Sequence, residues 1–263
     1  MKAILFDLDG VLYQGGSLLT GAVEALDWVR RKGIDHLFLT NTSSRPRAAI
    51  RENLARMGIR VSVEEILTPA VAARDWLLAQ GAPSVALFIP EATREEFTGL
   101  DVLNAEAQTG AGAVIVGDLG EGWDFATLNR AFRLLMAEPH PRLIALGMTR
   151  YWRAADGLRL DTAPFVVALQ HATGIAPVVL GKPARPFFAA ALARLGTEAA
   201  ETLMIGDDIR GDIGGAQNAG IRGLLVRTGK FRPQDLQGEI QPDGVIDSIA
   251  SLPEWWAEKH TAS

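Results

Sequence analysis

Ala3-Ile4-Leu5-Phe6-Asp7-Leu8-Asp9-Gly10-Val11-Leu12 runs apolar for four residues and then breaks into two aspartates separated by one residue. A short apolar run that ends in an acidic turn has the pattern of a strand buried on both faces, as in a parallel sheet. The signals that follow fit that reading. Thr20 can cap a helix with Val23, Leu26 and Val29 near one face and Gly33 at its end. Ile34–Leu39 is the next strand, and Ser44 before Arg45-Pro46 opens a second helix with Ile50, Leu54 and Met57 inward and Gly58 at its stop.

Thr68-Pro69 repeats that start signal. Beyond it, strands are predicted near Val85–Ile89, Ala113–Val116, Leu143–Leu146, Thr202–Ile205 and Gly223–Val226, with a weaker one at Gly244–Ile246. Helices are predicted near Asp124–Met136, Thr162–Thr173, Pro186–Leu195 and Arg210–Ala219. Strand and helix in alternation predict an α/β fold with a doubly wound, parallel-sheet (Rossmann-like) core. The acidic and polar signals lie before about residue 45 and after about residue 180, whereas the stretch between has core pattern without such a cluster. That is how an inserted α/β domain reads, with a core of 1–75 and 181–263 interrupted by residues 76–180.

Composition removes several chemistries. The chain has no cysteine, so disulfides, zinc–thiolate sites, iron–sulfur clusters and a Cys nucleophile are all excluded. Four histidines are too few for a His-rich metal centre. The net charge of -5 and the scattered basic residues leave no nucleic-acid footprint. The apolar start is short for a signal peptide, and no stretch approaches the ~18 apolar residues of a membrane span. A cytoplasmic location, with neither nucleic acid nor membrane as partner, is the expectation.

Four short signals each follow a predicted strand, where open α/β sheets bind their ligands. Asp7 and Asp9 can serve as nucleophile and acid/base and can hold a cation, since aspartate is a competent nucleophile toward phosphorus; alone, the pair also reads as an Asx turn. Thr40-Asn41-Thr42-Ser43-Ser44 can offer hydroxyls and N–H groups to phosphoryl oxygens, or simply cap a helix. Lys182, between Gly181 and Pro183, can place a fixed charge on a phosphate dianion and keep Asp7 ionised, although most single lysines are solvated. Asp207, Asp208 and Asp212 supply oxygen ligands of the kind Mg²⁺ prefers, or else an acidic helix start.

Taken together and in this order, the set Asp-x-Asp, Thr-Asn, Lys and Gly-Asp-Asp-x-x-x-Asp resembles the four motifs of the haloacid dehalogenase-like hydrolase superfamily. The long segment between the second and third resembles the α/β cap of its class IIA phosphatases. The stretches MIGDDIRGDIGGAQNAG and VRTGKFRP, with AFRLLM, LIALG, RYW and GLRLD in the cap, are similar to the branch of phospholysine phosphohistidine inorganic pyrophosphate phosphatases. The resemblance covers nearly the whole chain. It departs at Asp9, the usual superfamily residue, where the mammalian member of that branch carries Ser. Asp9 therefore favours general phosphomonoesterase chemistry over that member's substrates.

The resemblance implies a Mg²⁺-dependent phosphatase acting on small phosphorylated compounds, pyrophosphate or phosphoramidates through an aspartyl phosphate. It gives Asp7 the role of nucleophile and Asp9 that of general acid and base. Asp7, the main-chain carbonyl of Asp9 and Asp207 are its Mg²⁺ ligands. Thr40, Asn41 and Lys182 bind the substrate's phosphoryl group, with Asp208 and Asp212 behind them orienting Lys182 or metal-bound water. A homodimer through the cap enters only by analogy with relatives. Trp123, Tyr151, Trp152 and Arg153 are candidates for a specificity surface and equally for ordinary core or interface aromatics. A phosphomutase of the same fold, and a phospho-accepting signalling domain, stay open as alternatives. A dehalogenase needs neither Asp9 nor the Gly-Asp-Asp cluster, and no GxxxxGK[ST] phosphate loop is present.

Overall fold

Ala3–Asp7 forms the strand its apolar run implies, with all five residues buried, in the computed structural model, which describes residues 1–154 and 156–261. It lies inside a six-stranded sheet whose order is Gly244–Ile246, Arg222–Val226, Thr202–Gly206, Ala3–Asp7, Asp35–Leu39 and Ile66–Leu67. Every pairing in this sheet is parallel. The chain steps outward from Ala3–Asp7 in one direction and returns much later on its other side. That reversal makes the carboxyl end of this strand the switch point of the sheet.

The register fixes what meets there. Phe6 pairs with Ile205 on one side and with Phe38 on the other, and Asp7 pairs with Leu39. One face of the sheet carries Ile4, Phe6, Phe38, Leu203, Ile205, Leu224 and Val226, covered by Leu26 and Val29 of the helix Ala22–Arg31 and by Leu252 and Trp256. Leu5, Leu37 and Met204 on the opposite face are buried as well. Each fully buried Leu or Phe of this kind contributes roughly 1.5–3 kcal/mol. The apolar runs are continuous rather than alternating because both faces are covered.

The chain divides into two compact units. The first comprises Met1–Thr40, Ala48–Leu67 and the residues from Lys182 onward; the second comprises Asn41–Arg47 and Thr68–Gly181. The second unit has its own parallel sheet, in the order Val178–Val179, Arg142–Ala145, Ala113–Val116, Val85–Phe88. The helices Phe125–Leu135 and Thr162–Thr173 pack on it through Ala131, Leu134, Val166 and Leu169. Helix starts follow local chemistry: Thr68 accepts from Val71 N–H ahead of Pro69, and Asp124 accepts from Thr127 N–H.

Three local expectations differ from the structure. The first helix begins after Gly21, in the left-handed region at φ 82°, and Thr20 does not cap it. The segment expected as one helix over Arg210–Ala219 is instead a wide turn, Ile209–Gly214, followed by a short helix, Gly215–Asn218. Asp208 causes the widening: its carboxylate takes the N–H groups of Arg210 and Gly211, and its carbonyl accepts from both Asp212 and Ile213. A β-hairpin, Tyr151–Ala154 with Gly157–Leu160, stands where no strand was predicted. Among the described residues, no helix is long and apolar enough to cross a membrane.

Candidate active site

Two adjacent parallel strands deliver the first two acidic groups. Asp7 ends Ala3–Asp7, and Asp207 follows Thr202–Gly206 by one residue, so the Phe6–Ile205 pairing brings the carboxylates to one place. The wide turn after Asp208 folds Asp212 back toward the same strand end. It does so over Gly206, where an added Cβ would lie 2.2 Å from the Asp212 Cβ. Carboxylate oxygens of Asp7, Asp207 and Asp212 lie within 4.8 Å of one another, and all three residues are buried.

Lys182 supplies the balancing charge. Its Nζ donates to Asp7 Oδ1 and to Asp212 Oδ1, each at 2.6 Å, and the side chain is itself buried. Three carboxylates against one ammonium leave an excess of negative charge out of water, and the proton equilibria record it. Burial pushes Asp207 up to about 6, with the Asp212 charge adding and the Lys230 N–H opposing. Burial likewise pushes Asp212 up to about 6, against the pull of Lys182. Asp7 is also raised, again by burial, with Lys182 pulling the other way. For Lys182, burial works downward, but Asp212 and Asp7 outweigh it and hold the ammonium above its usual range.

Asp207 shows a sharper asymmetry. Its Oδ2 accepts the main-chain N–H of Lys230 at 2.6 Å, whereas its Oδ1 is buried and has no hydrogen-bond partner among the described residues. A buried carboxylate oxygen left unpaired is costly and calls for an electropositive ligand. Hard oxygen donors carrying excess negative charge are the set that Mg²⁺ and Ca²⁺ take. The site thus fits a divalent cation.

Asp208 sits apart from this cluster and below the ordinary carboxylate range. Burial opposes that, but the N–H groups of Gly211 and Arg210 and the Lys230 charge prevail. Its N–H also donates to Asp212 Oδ2 at 3.1 Å. Asp9 is exposed, on a tight loop in which Gly10 N–H donates to the Tyr13 carbonyl. Thr40 is buried one residue beyond the Asp7–Leu39 pair, and its N–H donates to Leu67. Asn41 opens the segment that packs with the second unit.

Of the sequence candidates, the structure thus draws Asp7, Lys182, Asp207 and Asp212 into one buried cluster, with Asp208 hydrogen-bonded to its edge. The sequence motifs gave no site role to Gly10 or to Thr228-Gly229-Lys230, which hold Asp207 from either side. The signal was available: that loop also follows a strand, Arg222–Val226, at the same sheet edge.

In the second unit, Trp123 stacks on Phe165 at 4.7 Å and on Phe88 at 5.8 Å, which makes it part of the core. Tyr151, Trp152 and Arg153 are exposed on the hairpin. Trp152, Asp118, Arg159, Leu160 and Phe165 line a cavity of about 720 Å³. Asp118 there is raised by burial and by the charge of Asp161.

A haloacid dehalogenase-like hydrolase family model matches residues 4–102, and a second model, HAD-hydrolase-like, matches 179–252. The human phospholysine phosphohistidine inorganic pyrophosphate phosphatase is 41% identical over 95% of this chain and 92% of its own length. The chain belongs to the haloacid dehalogenase-like hydrolases, among their phosphatases. Solved phosphatases of this family share its fold. The p-nitrophenyl phosphatase of Archaeoglobus fulgidus superposes with a TM-score of 0.87 at 27% identity, over 97% of this chain and 98% of that one. The glycerol phosphate phosphatase of Mycobacterium tuberculosis, solved in complex with calcium, gives 0.82 at 29% identity over 95% and 74%.

Proposed function

We propose that this haloacid dehalogenase-like enzyme is a Mg²⁺-dependent phosphatase that transfers a phosphoryl group to Asp7 and then to water. The observation that carries the proposal is the buried cluster of Asp7, Asp207 and Asp212, with Lys182 bonded to the first and last and one Asp207 oxygen unpaired. Asp7, the main-chain carbonyl of Asp9 and Asp207 would hold the cation. When bound, Mg²⁺ supplies positive charge that screens an anionic nucleophile from an anionic substrate.

The chain's own groups perform the transfer. Asp7 attacks phosphorus in line, and the bond from phosphorus to the leaving oxygen breaks as the bond to Asp7 forms. Asp9 gives its proton to that oxygen; its exposure suits a group that must meet both leaving group and water. In the second step Asp9 takes a proton from the water that attacks the aspartyl phosphate, which frees phosphate and restores Asp7. Lys182, Thr40 and Asn41 bind phosphoryl oxygens, and Asp212 holds the Lys182 ammonium in place.

The second unit serves as a cap that selects the substrate, and its cavity beside Trp152 and Arg159 is the selecting surface. The relatives' names point to small phosphate esters, pyrophosphate and phosphoramidates as the compounds to offer. A phosphate-release screen over sugar phosphates, nucleotides, pyrophosphate, phosphohistidine and an aryl phosphate, with Mg²⁺ and with EDTA, tests the reading. Steady release that EDTA stops and Mg²⁺ restores is the expected result. Release unaffected by EDTA, or a single equivalent and then nothing, contradicts it.

A further inference from the structure

The loop after Arg222–Val226 takes no part in the chemistry above, yet it makes three contacts in and around the acidic cluster. Thr228 Oγ1 donates a hydrogen bond to the Gly10 carbonyl, just past Asp7 and Asp9. Lys230 N–H donates to Asp207 Oδ2 at 2.6 Å. Lys230 Nζ reaches Asp208 Oδ2 at 3.3 Å. Between the first two contacts, Gly229 sits at φ 65° against Gly10 at φ 86°. A Cβ on either glycine would lie 2.0 Å from Asp207 Oδ2, and one on Gly229 would lie 2.6 Å from Gly10 Cα. Asp207 Oδ2 is therefore enclosed by two bare glycine backbones and one N–H donor, while Oδ1 is buried with no partner.

From this geometry we infer that Thr228, Gly229 and Lys230 form a positioning clamp for Asp207. The Lys230 N–H occupies Oδ2 and leaves Oδ1 as the oxygen that would serve a cation. Thr228 ties the clamp to the loop bearing Asp9 and thereby holds the two halves of the cation site in one register. Gly229 has no side chain because the carboxylate needs that space. Groups behind a ligand set the orientation of its donor atom, and their loss weakens metal affinity without removing a ligand. The inference rests on the reading that Asp207 holds a divalent cation.

Mg²⁺ and Mn²⁺ binding to the full chain, measured by calorimetric titration without substrate, tests it apart from activity. The proteins compared are wild type, Asp207→Asn, Thr228→Val, Thr228→Ser and Gly229→Ala, each with its metal-free melting temperature. Thr228→Val loses the hydroxyl at nearly constant shape and should bind the cation roughly 10–100-fold more weakly. Thr228→Ser keeps the donor and should restore wild-type affinity. Gly229→Ala should weaken binding at least as much, and Thr228→Val decides the question if Gly229→Ala fails to fold. A loss below about fivefold in Thr228→Val, or no recovery in Thr228→Ser, overturns the clamp. If wild type binds no cation, or Asp207→Asn binds as well as wild type, the cation reading itself fails, and the clamp with it.

Discussion

Asp7 and Asp207 end up side by side with unlike partners, which suits them to the unlike roles proposed for them. Asp7 shares a proton donor with Asp212 through Lys182, whereas Asp207 holds one main-chain N–H and keeps an oxygen unpaired. Under the proposed mechanism replacing Asp7 removes the covalent step, so Asp7→Asn should show no steady phosphate release. Asp9→Asn should slow turnover by about 10²–10⁴, the usual worth of a general acid, with Mg²⁺ affinity retained. A steady-state assay beside a cation titration checks both. Asp207 carries a stability prediction as well. Its folded pKa, about 6, lies above the ordinary 3.8, so the folded chain binds more protons than the unfolded chain between those values. Its contribution is therefore greatest at low pH and is lost as pH rises through 6, leaving an ionised, strained carboxylate at pH 7.5. Metal-free Asp207→Asn should accordingly be more stable than wild type at pH 7.5, by up to about 3 kcal/mol, and show no such gain near pH 4. Thermal melts in EDTA at the two pH values read this directly. The acids themselves were legible from their spacing after strands. Which oxygen each would leave free was not, because that depends on Gly10, Gly229 and Lys230, which are far apart in sequence.

At the scale of elements, the turn Ile209–Gly214 matters as much as any strand. The sequence predicts a helix across Arg210–Ala219. Asp208, by capturing two N–H groups, opens the first turn and carries Asp212 back to Lys182. That return passes over Gly206, so Gly206→Ala should destabilise the fold by about 1–3 kcal/mol or more, as overpacking does, and should lower activity with it. Chemical denaturation with and without Mg²⁺ measures the loss. The paired strands Tyr151–Ala154 and Gly157–Leu160 escaped the sequence for the opposite reason. These strands would need a buried face to give a period-two signal, and Tyr151, Trp152, Leu158 and Leu160 are all exposed. By contrast, the strands of the core sheet announced themselves because burial on both faces leaves an unbroken apolar run.

At the scale of the whole molecule, each unit has a sheet and core of its own, and the charged cluster belongs entirely to the first. The fold class was legible because strand and helix alternate along the chain, and the order of the four motifs pointed to the family. Substrate choice was not legible, since the cavity near Trp152 combines residues from Asp118 to Phe165 that no short motif connects. If that cavity selects the substrate, Trp152→Ala should change kcat/KM among phosphate esters while a small aryl phosphate is still hydrolysed in a Mg²⁺-dependent way. Equal changes for every substrate would place selection elsewhere. The central claim, that Asp7 becomes phosphorylated, is tested most directly by quenching the enzyme during turnover with borohydride and mapping the product by mass spectrometry. An aspartyl phosphate is reduced to homoserine, so homoserine at position 7, formed only with substrate and Mg²⁺, is the predicted result. Steady phosphate release with Asp7 unmodified, or with the modification on another residue, would contradict the account.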